Sequence, residues 1–284
     1  MKVLIIGSTG FIGYHLKKYL ESENYGIICH TREEHGSIEE ISSHPELFRA
    51  VDIVFHLAST THDYHVLNDE SNIDALTNIV GTQEVLKMVK NHCPKAKVVY
   101  TSSCFTNHGE PRGLQGTSKL CAEHYCKIYH NVFGLNTVIA RLSNVYGEHE
   151  PNANLKKGAF NKIIKMMCDN EKINLYSTHY VRDFIHVDDV CSALEILARK
   201  GNGGNTYDVC TGKSVPISFV FETAEEASCT SSEINNVDPP QFHVDSGIGD
   251  WRGDPNPLRS LGWKPLYDVE LGIKNLVKYC QEVD

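Results

Sequence analysis

A chain of 284 residues is long enough for a sizeable core and for roughly two folding units at ~150 residues each. With 27 Lys and Arg against 36 Asp and Glu, the formal charge of −9 excludes the broad basic face that general nucleic-acid binding needs, but not a local basic pocket for one small anion. Hydrophobic residues at 41% and charged residues at 22% suit a globular chain, and no apolar run approaches the roughly 18 residues of a membrane span.

In chain order, Val3–Ile6 is a predicted strand and Phe11–Glu21 a helix. Gly26–Cys29 is a second strand and Asp52–Leu57 a third, followed by a helix near Leu76–Lys90. Lys97–Ser102 is a fourth strand, Thr117–Val132 a helix and Asn136–Leu142 a fifth strand. Nearly continuous apolar strands alternating with helices predict an α/β fold: a doubly wound parallel sheet covered on both faces. After Gly147 the rhythm breaks, and Pro151, Asn152, Asn154 and Gly158 mark a loop. Helices are expected near Phe160–Cys168, Val187–Arg199 and Val269–Val283, with a strand at Thr206–Cys210 and an irregular stretch from Asp238 to Pro257. Residues 1–147 thus form one expected unit, which also takes in later strands, and 148–284 a smaller, interwoven lobe.

Ten cysteines occur without a CxxC pair, mostly inside apolar segments, which predicts reduced, buried thiols and a cytoplasmic location. The apolar run before Gly7 is too short for a secretory signal. Among fifteen histidines, His62 and His65 alone have a weak ligand spacing, and no metal site is expected.

Gly7-Ser-Thr-Gly10-Phe-Ile-Gly13 follows the first strand and opens the first helix. Glycines there permit a tight turn and close approach of a pyrophosphate to free N–H groups at the helix start. Gly7, Thr9, Gly10, Phe11, Ile12 and Gly13, with Leu57, Ala58 and Ser59 at the end of the third strand, are the expected dinucleotide cradle. The second strand ends Cys29-His-Thr31-Arg32, with a hydroxyl and a guanidinium where an acidic residue would select a free ribose 2′-OH. That favours NADP, with NAD as the alternative, although Glu33 and Glu34 would oppose a 2′-phosphate at Arg32.

Seven motifs in register extend this pattern: Gly7–Gly13, Asn78–Thr82, Ser102-Ser103, Thr117-Ser-Lys119-Leu-Cys-Ala-Glu123, Arg141–Gly147, Arg182–Asp189 and Leu261–Pro265. Together they resemble the extended short-chain dehydrogenase/reductase family, in its NAD-dependent epimerase/dehydratase branch acting on nucleotide sugars. The resemblance implies a Rossmann-type sheet with a small C-terminal substrate lobe. It implies that Ser103 hydrogen-bonds the reacting sugar oxygen, that Lys119 binds the nicotinamide ribose and that Asn144 faces the substrate. It leaves Arg182-Asp183 and Asp188-Asp189 with structural roles, the latter capping the helix from Val187.

Three departures stand out. The family's acid/base tyrosine position is Gln115, an amide that neither gives nor takes a proton usefully near neutral pH. The proton then comes from a neighbour of Ser103 (Cys104, His108, Tyr100 or Tyr146), or from water or substrate, or the protein binds without turnover. His108 is a candidate because imidazole titrates near neutrality. Between the second strand and Asp52 there are too few residues for the family's further strand. Finally, Trp251-Arg252-Gly-Asp254 places Arg252 one position from where the resemblance puts a diphosphate-binding Arg.

The expected function is NAD(P)-dependent 4-keto reduction or epimerisation of a nucleotide-linked sugar, with a catalytically silent sensor or regulatory subunit as the alternative. Neither nucleic acid nor membrane is an expected partner. A homodimer is expected through the helices near Leu76–Lys90 and Thr117–Val132, with Leu120, Tyr125, Ile128, Tyr129 and Val132 as the apolar stripe.

Overall fold

The structure is a computed structural model that describes residues 1–60, 72–149, 159–176, 178–230, 232–245 and 249–282. The loop expected at Pro151, Asn152, Asn154 and Gly158, the His62/His65 pair and Val283 lie outside the described residues.

The first half alternates β1 (Lys2–Ile6), α1 (Phe11–Ser22), β2 (Gly26–His30), a short α2 (Arg32–His35) and β3 (Ile53–His56). A π-helical turn, Ala75–Val80, leads into α3 (Gly81–His92), followed by β4 (Lys97–Ser103), α4 (Gly113–Phe133) and β5 (Asn136–Leu142). The second half holds β6 (Asn144–Tyr146), α5 (Ala159–Cys168), β7 (Ile173–Leu175), β8 (Val181–His186), α6 (Val187–Lys200) and β9 (Thr206–Val209). It closes with β10 (Ser214–Pro216), α7 (Ile217–Ser228), β11 (Ile234–Asn236), α8 (Gln241–Asp245), α9 (Asn256–Arg259) and α10 (Val269–Glu282).

The main sheet runs β2-β1-β3-β4-β5-β9, every pair parallel. Strand alternation feeds two cores. Val3, Ile5, Phe55 and Val99 face α1 and α6, whereas Leu4, Ile6, Val54 and Val98 face α3 and α4. The chain turns to one side of β1 for β2 and to the other for β3, so a crevice opens at the carboxyl ends of β1 and β3. The stretch after β2 forms α2 and two 3-10 turns, Ile38–Ser43 and Pro45–Phe48, and β2 is the sheet edge.

The C-terminal lobe has its own core, in which Ile164, Phe184, Phe221 and Ile273 pack α5, β8, α7 and α10 together. Helix α7 carries no sequence prediction because Ile217-Ser-Phe-Val-Phe221 is rich in β-forming residues; packing against α5 and α10 overrides that local preference. Two carboxylates tie the lobe down. Asp183, fully buried on β8, accepts from the Thr211 N–H (2.8 Å), the Thr211 hydroxyl (3.0 Å) and the Gly212 N–H (2.7 Å). Asp189 accepts from the backbone N–H groups of Leu266 (2.7 Å) and Tyr267 (3.0 Å). The side chain that caps α6 is therefore not an aspartate but His186, whose Nδ1 accepts from the Asp188 N–H at 3.3 Å. Asp189 is spent on a distant loop instead. Among the described residues no helix is long and apolar enough to cross a membrane.

The turn from β1 to α1 depends on one missing methyl group. A Cβ on Gly13 would lie 2.1 Å from the Gly7 carbonyl oxygen, whereas one on Gly10 would meet the same atom at 3.4 Å. Gly13→Ala should therefore cost about 1–3 kcal/mol and lower Tm by several degrees. Gly10→Ala should melt close to the parent protein. Thermal unfolding followed by circular dichroism checks both.

Candidate functional site

The crevice at the strand ends widens into a cleft of about 1120 Å³. One end is the β1–α1 turn, where Gly7, Thr9, Gly10, Phe11, Ile12 and Gly13 line the wall with Leu57 and Ser59. Gly7 holds φ at +93°, and a Cβ there would come within 2.6 Å of the Ala58 nitrogen. Gly10 precedes α1 with no side-chain cap, and no acidic residue stands in the first turn. The first N–H groups of α1 thus face the cleft without intrahelical acceptors, as an anion site requires. The glycines let the turn pack tightly against the end of β3 and keep the helix start open to the cleft, so these residues fit the pyrophosphate of a dinucleotide.

A polar network fixes the adjoining wall. Asn78, buried on the π turn, accepts from the Ser59 hydroxyl and the Thr60 N–H, both at 2.9 Å. Its amide N–H groups donate to the Thr60 carbonyl (3.0 Å) and the Ser118 hydroxyl (2.9 Å). Every bonding capacity of the amide is used in joining the loop after β3 to α4. Behind it, Thr82 donates to the Asn78 carbonyl, so His56 Nε2, at 2.9 Å from the Thr82 oxygen, must be the donor of that pair.

The centre of the cleft is lined by Thr101, Ser103, Cys104, Gln115 and Asn144. Ser103 Oγ accepts from the Phe105 N–H at 3.2 Å, which leaves its proton to donate. Asn144 donates to the Asp183 carbonyl at 3.0 Å and is held at the wall by it. Burial pushes the Cys104 thiol up to about 11, so near neutral pH it is a thiol rather than a thiolate. Lys119, 4% exposed, donates to the carbonyl of Thr101 at 2.7 Å, and burial pulls its ammonium down to about 7. The carboxylate one turn further along α4, Glu123, is engaged elsewhere. It receives Arg141 Nε (2.8 Å) and Nη2 (2.7 Å) and the Ser102 hydroxyl (2.6 Å).

The predicted residues divide. The glycine turn, Leu57, Ser59, Ser103, Gln115 and Asn144 share the cleft, with Lys119 beneath its floor. His108 does not line it: the ring stacks on Trp251 at 6.3 Å and approaches Arg141 (3.3 Å) and Asp208 (3.9 Å). Tyr100 and Tyr146 are buried in the two cores, about 1% exposed or less. Thr31 caps α2 by accepting from the Glu34 N–H at 3.2 Å, and Arg32 is exposed beside it. Arg252 is exposed and outside the cleft, because its neighbour Trp251 turns inward against Cys104 and Cys210.

One cleft residue was given only a structural role above. Arg182 lines the cleft at 6% exposure, donates to the Val181 carbonyl at 3.1 Å and, among the described residues, has no carboxylate in ion-pair contact. Sequence alone gives no clear signal for it, because Arg182 stands in a strand, Val181–His186, of which half the residues are polar and nearly all are buried. Beyond it the cleft becomes apolar, walled by Phe160, Phe184, Ile217 and Phe221.

Comparison with known proteins adds three findings. The family model described as NAD dependent epimerase/dehydratase family matches residues 3–210. CDP-abequose synthase of Salmonella muenchen is 27% identical and is matched over 97% of both chains. Two solved structures share the fold at 24% identity and 99% coverage of each chain: UDP-glucose 4-epimerase of Thermotoga maritima with UDP-glucose, TM-score 0.90, and RMD of Pseudomonas aeruginosa complexed with NADPH, TM-score 0.84.

Two histidines beside this site make stability depend on pH. Burial lowers His30 to about 4 and His56 to about 3, against an ordinary value near 6.5. Both rings are neutral in the fold but take up protons on unfolding below pH 6.5, so their contribution is complete above that pH and is lost as pH falls toward 4. Each contributes a slope of about 1.4 kcal/mol per pH unit in that window. Urea unfolding at pH 7, 6 and 5 should show this loss, and His56→Gln, which keeps a donor for Thr82, should reduce the slope by about one proton.

Proposed function

The chain belongs to the NAD dependent epimerase/dehydratase family, and within it we propose that it reduces a 4-keto group on a nucleotide-linked sugar with a nicotinamide dinucleotide. The observation that carries this reading is one continuous cleft with the glycine turn at one end and, toward the other, a buried guanidinium, Arg182, that among the described residues has no carboxylate in ion-pair contact. The turn Gly7–Gly13, with Leu57, Ala58 and Ser59, would hold the dinucleotide. Arg32 at the end of β2 favours NADPH through its guanidinium, although Glu34 stands at the same tip and accepts from the Thr31 hydroxyl at 3.3 Å. When bound, the nicotinamide would supply the hydride.

This chain's residues supply orientation and charge. Ser103 donates a hydrogen bond to the sugar oxygen that becomes the hydroxyl, stabilising the charge that develops there. Asn144 positions the sugar. Arg182 matches the fork of a diphosphate and has already surrendered its hydration, so an anion there replaces lost water contacts. Cytoplasmic residence accords with ten free thiols, six of them buried. Ile128 and Val132 stand one turn apart on α4, 49% and 67% exposed, whereas Tyr125 and Tyr129 pack against the core; the first pair supports a homodimer contact on α4.

Gln115 favours a second reading, a protein that binds cofactor and ligand without turnover. Incubation with NADPH and a panel of 4-keto nucleotide sugars, followed at the reduced-nicotinamide absorbance, separates the two. The reductase reading expects oxidation with at least one sugar, and tight NADPH binding by calorimetry with no oxidation on the whole panel overturns it. Separately, Ile128→Asp should convert a dimer to a monomer in sedimentation equilibrium without lowering Tm by more than a few degrees.

A further inference from the structure

We propose that Lys119 is the proton source for the sugar oxygen, passing its proton across one water molecule, in place of the acid that Gln115 cannot be. The inference rests on the reductase reading above and deepens it.

Among the described residues four titratable side chains line the cleft, and none of these suits the task. Lys172 pairs with Glu233 at 2.7 Å on the exposed rim. Tyr176 belongs to the apolar end, and burial raises its hydroxyl further from neutrality. Arg182 does not release a proton in water. Cys104 has its thiol raised by burial and is a weak acid. Of the nearby groups that do not line it, Tyr100 and Tyr146 lie in the cores, and His108 faces Arg141 and Asp208.

Lys119 remains, and its placement is specific. Gln115 and Lys119 are four residues apart on α4 and share a face. Gln115 lines the cleft, and so does Thr101, whose carbonyl receives the Lys119 ammonium at 2.7 Å. The ammonium is thus one hydrogen bond from a residue that lines the cleft.

The charges around it leave it unneutralised. From β4, Tyr100 presents its ring face at 4.9 Å from Nζ. From β3 comes His56, neutral and unable to accept a salt bridge. From α4 itself come Glu123 and Cys126, which pull the proton toward Lys119 but do not outweigh its burial. Glu123 gives both oxygens to Arg141 on β5 and one of them also to Ser102 on β4. Asn78, from the π turn, is neutral and fully bonded. A desolvated ammonium that has no carboxylate of its own among the described residues gives up a proton far more readily than a surface lysine, which suits acid catalysis near neutral pH.

The step balances. Hydride adds to the carbonyl carbon, the C=O π pair moves onto oxygen, and that oxygen takes a proton from water as the water takes one from Lys119. The products are the alcohol and a neutral amine, which regains its proton from solvent before the next turnover.

Two measurements test this, one of them without cofactor. In protein labelled with ¹³C at lysine Cε, one resonance should titrate near pH 7 and be missing in Lys119→Met. With a sugar that the panel identifies, the single-turnover rate at saturating NADPH should fall about tenfold per pH unit above ~7. Lys119→Arg, which keeps the charge, should lose about 10²-fold and flatten that profile. Gln115→Tyr, which adds an acid of higher pKa, should carry the fall to higher pH. A Lys119 resonance titrating near 10, or Lys119→Arg retaining the parent rate and profile, overturns the proposal while the reductase reading stands. Failure of every sugar to oxidise NADPH overturns the reductase reading and this proposal together.

Discussion

The electrostatics under the cleft turn on one carboxylate. Glu123 is fully buried on α4 and is held by Arg141 from β5 and by Ser102 from β4. Removing one partner of such a pair costs about 3–5 kcal/mol, because the other charge is left buried alone. The pairing fastens α4 across two strands, and it also decides what Lys119 sees. Were Glu123 free, it would neutralise the ammonium one turn away and hold its proton. Because Arg141 claims both oxygens, structural strength in one pair becomes electrostatic poverty at the next residue along the helix.

The same economy recurs where the lobe meets the sheet. Asp183 spends its carboxylate on Thr211 and Gly212, and Asp189 spends its own on Leu266 and Tyr267. Each satisfies backbone donors that would otherwise be buried unpaired. The neighbouring cation, Arg182, donates to the Val181 carbonyl and lines the cleft. Here the carboxylates serve the scaffold, while Arg182 lines the cleft. This is how a chain of net charge −9 can present local positive potential to an anion.

Much of this was legible in the sequence, for reasons that lie in local physics. The parallel sheet followed from apolar runs of strand length between helical periods, and five strands of the first half lie where those runs lie. The glycine turn was legible because its demands are short-range. The second half was harder. Strands of three residues, such as β6, β7 and β11, carry too little pattern to declare themselves, and α7 is helical by packing rather than by propensity. Side-chain direction was the hardest. His108, Arg182 and Arg252 are alike as letters in loops and strand starts, but the inward turn of Trp251 places Arg252 outside while Arg182 points in. No spacing rule encodes that choice. That Glu123 pairs with Arg141 rather than with Lys119 was hidden for the same reason, since Arg141 meets Glu123 only after β4 and β5 have paired.

The last strand of the main sheet has a consequence for synthesis. β9 joins the outer edge of β5, yet 67 residues separate Leu142 from Val209, and the strands β6 and β8 of the lobe lie between them. At about 5–20 residues per second, the ribosome takes roughly 3–13 s to deliver that partner. During this interval the apolar strand Asn136–Leu142 presents an open edge, the feature most prone to pair with another chain. The cell therefore has to shelter a nascent chain whose first half is complete in sequence but not yet closed as a sheet.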